Sequence, residues 1–171
     1  MEPEAERTAS VVREALAALG LPWSEPRPGL FTVSLPGTAR LGTECALQAG
    51  RHGLAVRAFV VRAPEQDHER VYRWLLQRNL KLYGVAFTLD ALGDVYLTGR
   101  VAGDRLDAAE VDRVVGAVAE AADSAFNPIL AMGFADAIRR EWAWRRSRGE
   151  PTANLAAFAD LEPGTGAARP D

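Results

Sequence analysis

The sequence predicts an α+β fold: an antiparallel sheet of about five strands in the order α-β-β-β-α-β-β-α, extended by an extra C-terminal helix. Three observations carry this. Apolar and polar side chains alternate along residues 31–35, 41–48 and 85–97, the period of half-buried strands. Apolar stripes at spacings of three and four mark helices over 3–19, 64–79 and 107–126. Turns bearing glycine at 50–53 and 90–93 reverse the chain between strands.

The first helix buries Ala5, Ala9, Val12, Leu16 and Leu19, and stops where Gly20 can turn left-handed and Pro22 blocks continuation. LPWSEPRPG reads as a proline-rich connector, with Trp23 plugging the core edge. Strands follow over Phe31–Leu35 and Leu41–Gln48. Leu54–Arg62 is apolar on nearly both faces and reads as a central strand. The second helix opens with Glu65, Asp67 and Glu69 at its positive end. Its apolar face is Val71, Tyr72, Leu75 and Leu76, extended by Asn79, Leu80 and Leu82. Trp74 projects to the other side among Arg73, Gln77, Arg78 and Lys81. A neighbouring element could cover it; the reading taken here is a contact with a partner, where tryptophan and arginine concentrate energy. The hairpin places Val85, Phe87 and Leu89 against Val95 and Leu97, with Asp90 and Asp94 as turn-formers rather than metal ligands. Asp107 and Glu110 form a capping box, with Leu106 and Val111 as its staple. Pro128 is expected to kink or end the third helix, Gly133 to cap it, and a last helix to run from Phe134 to Arg148. There Phe134, Ile138 and Trp142 face inward and five arginines face out. Leu155, Phe158 and Leu161 then form a short apolar strip. Residues 1–161 are expected to form one domain and 162–171 a disordered tail.

Composition narrows the function. The chain has 171 residues, 48% hydrophobic and 25% charged, with a net charge of -3. That balance exerts no global pull towards nucleic acid or an anionic membrane. Cys45 is the lone cysteine, which points to a reducing compartment, and the acidic start MEPEAERT is not a secretory signal. No apolar run approaches the roughly 20 residues that span a bilayer. A cytoplasmic location is expected. His52 and His68 lack ligands at metal spacing, and no paired nucleophile and base or phosphate-binding loop occurs. No enzyme activity, metal or cofactor is expected.

The runs VYRWLLQRN (71–79), LYGVAFTLD (82–90), GDVYLTGR (93–100), AFNPILAMGF (125–134) and EWAWR (141–145) resemble the YbjN family in its actinobacterial form. The resemblance covers about residues 30–161. That family is similar in fold to the class I chaperones of type III secretion, small acidic homodimers that hold an extended client segment. The resemblance therefore implies a non-enzymatic, chaperone-like or regulatory protein, a homodimer binding an unidentified polypeptide. A sheet covered by helices on one side leaves Leu54 and Val56, or Phe59 and Val61, in need of other cover. The expected partner contacts are Trp74, Arg73, Arg78, Phe59, Val61, Trp142 and Trp144, with a two-fold interface at the second helix and hairpin. The alternative class is nucleic-acid binding through Trp142, Trp144 and the surrounding arginines, against which stands the acidic remainder of the chain. Leu155, Phe158 and Leu161 are expected to dock on the body, in their own subunit or its partner, either as a built-in mimic of the client or as a permanent part of the core.

Overall fold

A computed structural model describes residues 2–164. The elements are α1 (Pro3–Leu19), β1 (Trp23–Arg27), β2 (Leu30–Pro36), β3 (Gly42–Gly50), β4 (Gly53–Val61), α2 (His68–Asn79), β5 (Val85–Leu89), β6 (Val95–Ala102), α3 (Ala108–Gly133) and α4 (Ala135–Arg148), with a 3-10 strip at Ala153–Leu161. The strands form one antiparallel sheet in the order β1-β2-β3-β4-β6-β5. The α+β expectation holds, with one strand more than the alternation revealed.

That extra strand is β1, in the segment read as a connector. Pro26 cannot donate to a ladder, but β1 is an edge strand and pairs only with β2, where proline is tolerated. Glu25 holds β1 to α1: Arg13 donates to both carboxylate oxygens at 3.0 Å, and the Gly29 N–H donates to one of them at 2.9 Å. These bonds, the Arg13 fork foremost, set the Glu25 carboxyl below its usual range.

The core lies between the sheet and the helices on one face of it. Phe31, Val33, Leu35, Cys45, Leu47, Leu54, Val56, Val95 and Leu97 point inward and are buried. Val12 and Leu16 of α1 and Val111, Val114, Val118, Ala122 and Ile129 of α3 meet them. Leu54 and Val56 thus lie under the helices and need no further cover. A bulge between Phe59 and Val61 shifts the register, so Val61 pairs with Val95 and is buried while Phe59 stays on the open face.

The third helix does not end at Pro128. It runs on to Gly133, and the carbonyl that Pro128 leaves without a donor belongs to Ser124, an exposed position that water can serve. The break comes at Phe134 instead. Gly133 is pressed against Pro64 so closely that a Cβ there would lie 2.8 Å from that ring. Its carbonyl accepts the N–H groups of Glu65 at 2.9 Å and Gln66 at 3.2 Å, and Gln66 in turn accepts the Asp136 N–H at 2.9 Å. The loop before α2 therefore fixes the corner between α3 and α4.

The strip Ala153–Leu161 lies on its own subunit, against α3 and α4. Leu155 and Phe158 are buried, and the Phe158 carbonyl accepts the Trp142 indole N–H at 3.3 Å. Of the tail expected to be disordered, Glu162 is held by Arg146 at 3.1 Å. Residues from 165 on lie outside those described.

Candidate functional site

Helix α2 carries three parallel rows one turn apart. Val71 and Leu75 make the buried row. Trp74 and Arg78 make one flank: Trp74 is half-buried against the core, Arg78 lies 5.2 Å over its ring, and the guanidinium donates to Ser124 of α3 at 2.7 Å. Tyr72, Leu76 and Leu80 make the other flank. Leu76 is 67% and Leu80 88% exposed, although the apolar periodicity assigns both to the buried face. The reason is topological. Strand β5 is the last of the sheet, so nothing beyond it covers that side of the helix.

Between this flank and β5 runs an apolar hollow of about 500 Å³, lined by Tyr72, Leu75, Leu76, Phe87, Thr88 and Leu89. A second hollow of about 760 Å³ adjoins it over Glu69, Tyr72, Arg73, Leu76, Gln77 and Leu80. Leu89 and Leu92, 45% and 80% exposed, extend the surface onto the hairpin. An exposed apolar surface of this continuity is unusual for a side chain set without a partner.

The edge of β5 beside this surface is not open. Asn79, the last residue of α2, accepts the Phe87 N–H at 2.7 Å and donates to the Phe87 carbonyl at 3.3 Å. The side-chain amide stands in for a neighbouring strand and blunts the edge. A partner at this site therefore docks by side chains rather than by adding a strand at Phe87.

The remaining candidates fall elsewhere. Arg73 pairs with Glu69 at 2.7 Å on the rim of the surface. Phe59 is 37% exposed at the centre of the open sheet face. Trp142 is buried and Trp144 is 45% exposed, with Arg148 5.4 Å over its ring. On α4, Arg139 bonds Asp136, Arg145 bonds Glu141, Arg146 bonds Glu162, and Arg140 reaches Glu65 at 3.8 Å. The sequence reading names Trp74, Arg73 and Arg78 of this helix as partner contacts and does not name the exposed flank of Leu76 and Leu80. The signal available was the row Tyr72, Leu76, Leu80, which widens the apolar arc beyond what one neighbouring sheet can cover.

Among the described residues no group of three or more His, Cys, Asp and Glu side chains is arranged to hold a metal ion, and no helix is long and apolar enough to cross a membrane. Burial pushes the Cys45 thiol up to about 12, which keeps it protonated and unreactive.

A one-sided layer of helices on an antiparallel sheet gives the chain a fold like that of type III secretion chaperones. A chain of the solved heterodimeric complex ExoU-SpcU, from the type III secretion system of Pseudomonas aeruginosa, matches with a TM-score of 0.50 at 21% identity, over 68% of this chain and 94% of that one. The chain belongs to the YbjN family, described as "Putative bacterial sensory transduction regulator", whose model matches residues 8–131. Uncharacterized proteins of Mycobacterium tuberculosis and Mycobacterium bovis are each 50% identical over 91% of this chain and 87% of their own length. One from Mycobacterium leprae is 48% identical over 89% of this chain and 85% of its own. Neither the family nor the fold is an enzymatic one.

Proposed function

We propose that the protein is a non-enzymatic interaction module with a chaperone-like or regulatory role, which pairs with a second copy of itself through α2 and β5 and binds a segment of a partner polypeptide. The observation that carries the reading is the uncovered row Tyr72, Leu76 and Leu80 beside an apolar hollow. Covering a leucine stabilises by about 1.5–3 kcal/mol, so two of them nearly bare on one flank favour association strongly. A second α2 laid antiparallel brings the same row into the same hollow from the other side, a self-complementary contact of the kind two-fold dimers use. Glu69 and Arg73 pair with each other at 2.7 Å on the border of the row. Arg78 and Trp74 stand at the rim.

The similar solved structure is a heterodimer from a secretion system, which supports a role in holding another chain. The family description supports a regulatory one. A cytoplasmic setting accords with a single, buried thiol. The nucleic-acid alternative has little support: Trp142 has no free ring to offer a base, and most arginines of α4 are paired with acids.

Sedimentation velocity at micromolar concentration tests the pairing. The chain is expected to run as a dimer and Leu76→Arg as a folded monomer. A monomeric parent chain, or a Leu76→Arg variant that still dimerises, contradicts the proposal.

A further inference from the structure

The sheet face opposite the helices carries a second feature. At its centre Phe59 of β4 stands beside its register partner Tyr96 of β6, edge to face, with centroids 5.5 Å apart. Arg57 lies 4.1 Å over the Tyr96 ring and Arg40 lies 5.5 Å over that of Phe59. Next to this pair Arg57 and Arg100, both exposed, border a hollow of about 510 Å³ whose floor includes Ala55 and Thr98. Arg57 is the register partner of Thr98, and Ala55 that of Arg100. The two arginines therefore sit diagonally on adjacent strands, about 7–8 Å apart at their bases.

Several guanidinium groups in this chain hold a carboxylate: Arg13 holds Glu25, Arg73 holds Glu69, Arg139 holds Asp136 and Arg145 holds Glu141. Among the described residues no ion pair links Arg40, Arg57 or Arg100 to an acid. Arg40 spends its donors on the carbonyls of Gly42, Phe59 and Val60. In a protein of net charge -3, Arg57 and Arg100 thus lie together on the open sheet face without an ion pair, while Arg40 sits at its end, between Phe59 and Phe126 of α3.

We infer that this face binds an acidic, extended segment of a partner polypeptide, with its carboxylates seated between Arg57 and Arg100. The inference rests on the polypeptide-binding reading above and gives that partner a chemistry. Alternate residues of an extended chain point the same way at roughly 7 Å, the spacing of the two arginines. A guanidinium fork grips a carboxylate through two parallel hydrogen bonds, and Thr98 adds a hydroxyl beside it. Single-stranded nucleic acid would supply anions too, but its bases need open ring faces for stacking. Here Arg57 and Arg40 already lie over the rings.

Fluorescence anisotropy of the whole chain decides the matter, with three labelled probes: a peptide of alternating glutamate and threonine, the same peptide with glutamine for glutamate, and an oligothymidine of equal length. The glutamate peptide is expected to bind at least about tenfold more tightly than the glutamine peptide, and Arg57→Gln with Arg100→Gln should erase that difference. Both positions are exposed, so the variant retains its fold, checked by circular dichroism. Equal binding of the two peptides, tighter binding of the oligothymidine, or no binding by any probe overturns the inference. Equal peptide binding that depends on Phe59 would leave polypeptide binding standing and remove the charge readout alone. The α2 pairing is judged separately by Leu76→Arg.

Discussion

Asp123 shows how much one side chain can organise. Its carboxylate accepts the N–H groups of Thr38 at 2.8 Å, Ala39 at 2.9 Å and Arg40 at 3.0 Å, and the Thr38 hydroxyl at 2.8 Å. It thereby ties the β2–β3 loop to α3. These bonds, that from the Arg40 backbone foremost, hold the carboxyl below its usual range. A depressed carboxyl adds stability in full above the ordinary value of about 4, and that contribution fades as pH falls through the depressed one. Asp123→Ala is expected to cost about 1–2 kcal/mol at neutral pH by urea unfolding, with the deficit shrinking in acid. A deficit that stays constant with pH would show that the carboxylate charge is not what holds the loop. Cys45 makes the opposite case. Its alternation among apolar neighbours already marked it as an inert core thiol, and with its ionisation pushed up to about 12 it is expected to ignore thiol reagents at pH near 8 until denaturant is added. Rapid labelling of the native protein would contradict this. The burial of Cys45 was legible because strand alternation is local. The Asp123 latch was not, because its partners lie 85 residues away.

At the scale of elements, Asn79 decides what the sheet edge can do. Asn79→Ala leaves the Phe87 N–H and carbonyl without partners, which is expected to cost about 1–2 kcal/mol in thermal unfolding and to raise thioflavin-positive aggregation through the opened edge. A variant unchanged in both would mean that the edge is protected by something other than Asn79. The C-terminal strip is expected to matter for stability: Phe158→Ala removes a buried ring over α3 and α4, at a cost of about 3 kcal/mol by urea unfolding. A loss below about 1 kcal/mol would return the strip to the role of a detachable mimic. Elements with strong periodicity and capped ends, such as α1, α3 and the β5–β6 hairpin, were readable from the sequence. Strand β1 was not, since Pro22, Pro26 and Pro28 read as a connector, and Pro26 is tolerable within the strand only because it lies at the sheet edge. Nor was the exposure of Leu76 and Leu80. A hydrophobic period states which faces of a helix are apolar, and only the strand order tells which of them has a neighbour.

For the whole molecule, the family match ends within α3, while the mycobacterial relatives extend over nine-tenths of the chain. Helix α4 and the strip are thus built onto the family fold and locked to it at Gly133, Gln66 and Trp142. They leave both the α2–β5 surface and the open sheet face uncovered. In the proposed dimer α2 of one copy meets α2 of another. The buried thiol of Cys45 provides a silent background for testing it. Leu76→Cys under mild oxidation is predicted to give a disulfide-linked dimer on non-reducing electrophoresis. Leu41→Cys, at a site 95% exposed on the β2–β3 loop across the sheet, is predicted to stay monomeric. A monomeric Leu76→Cys, or equal cross-linking of the two, would contradict the account.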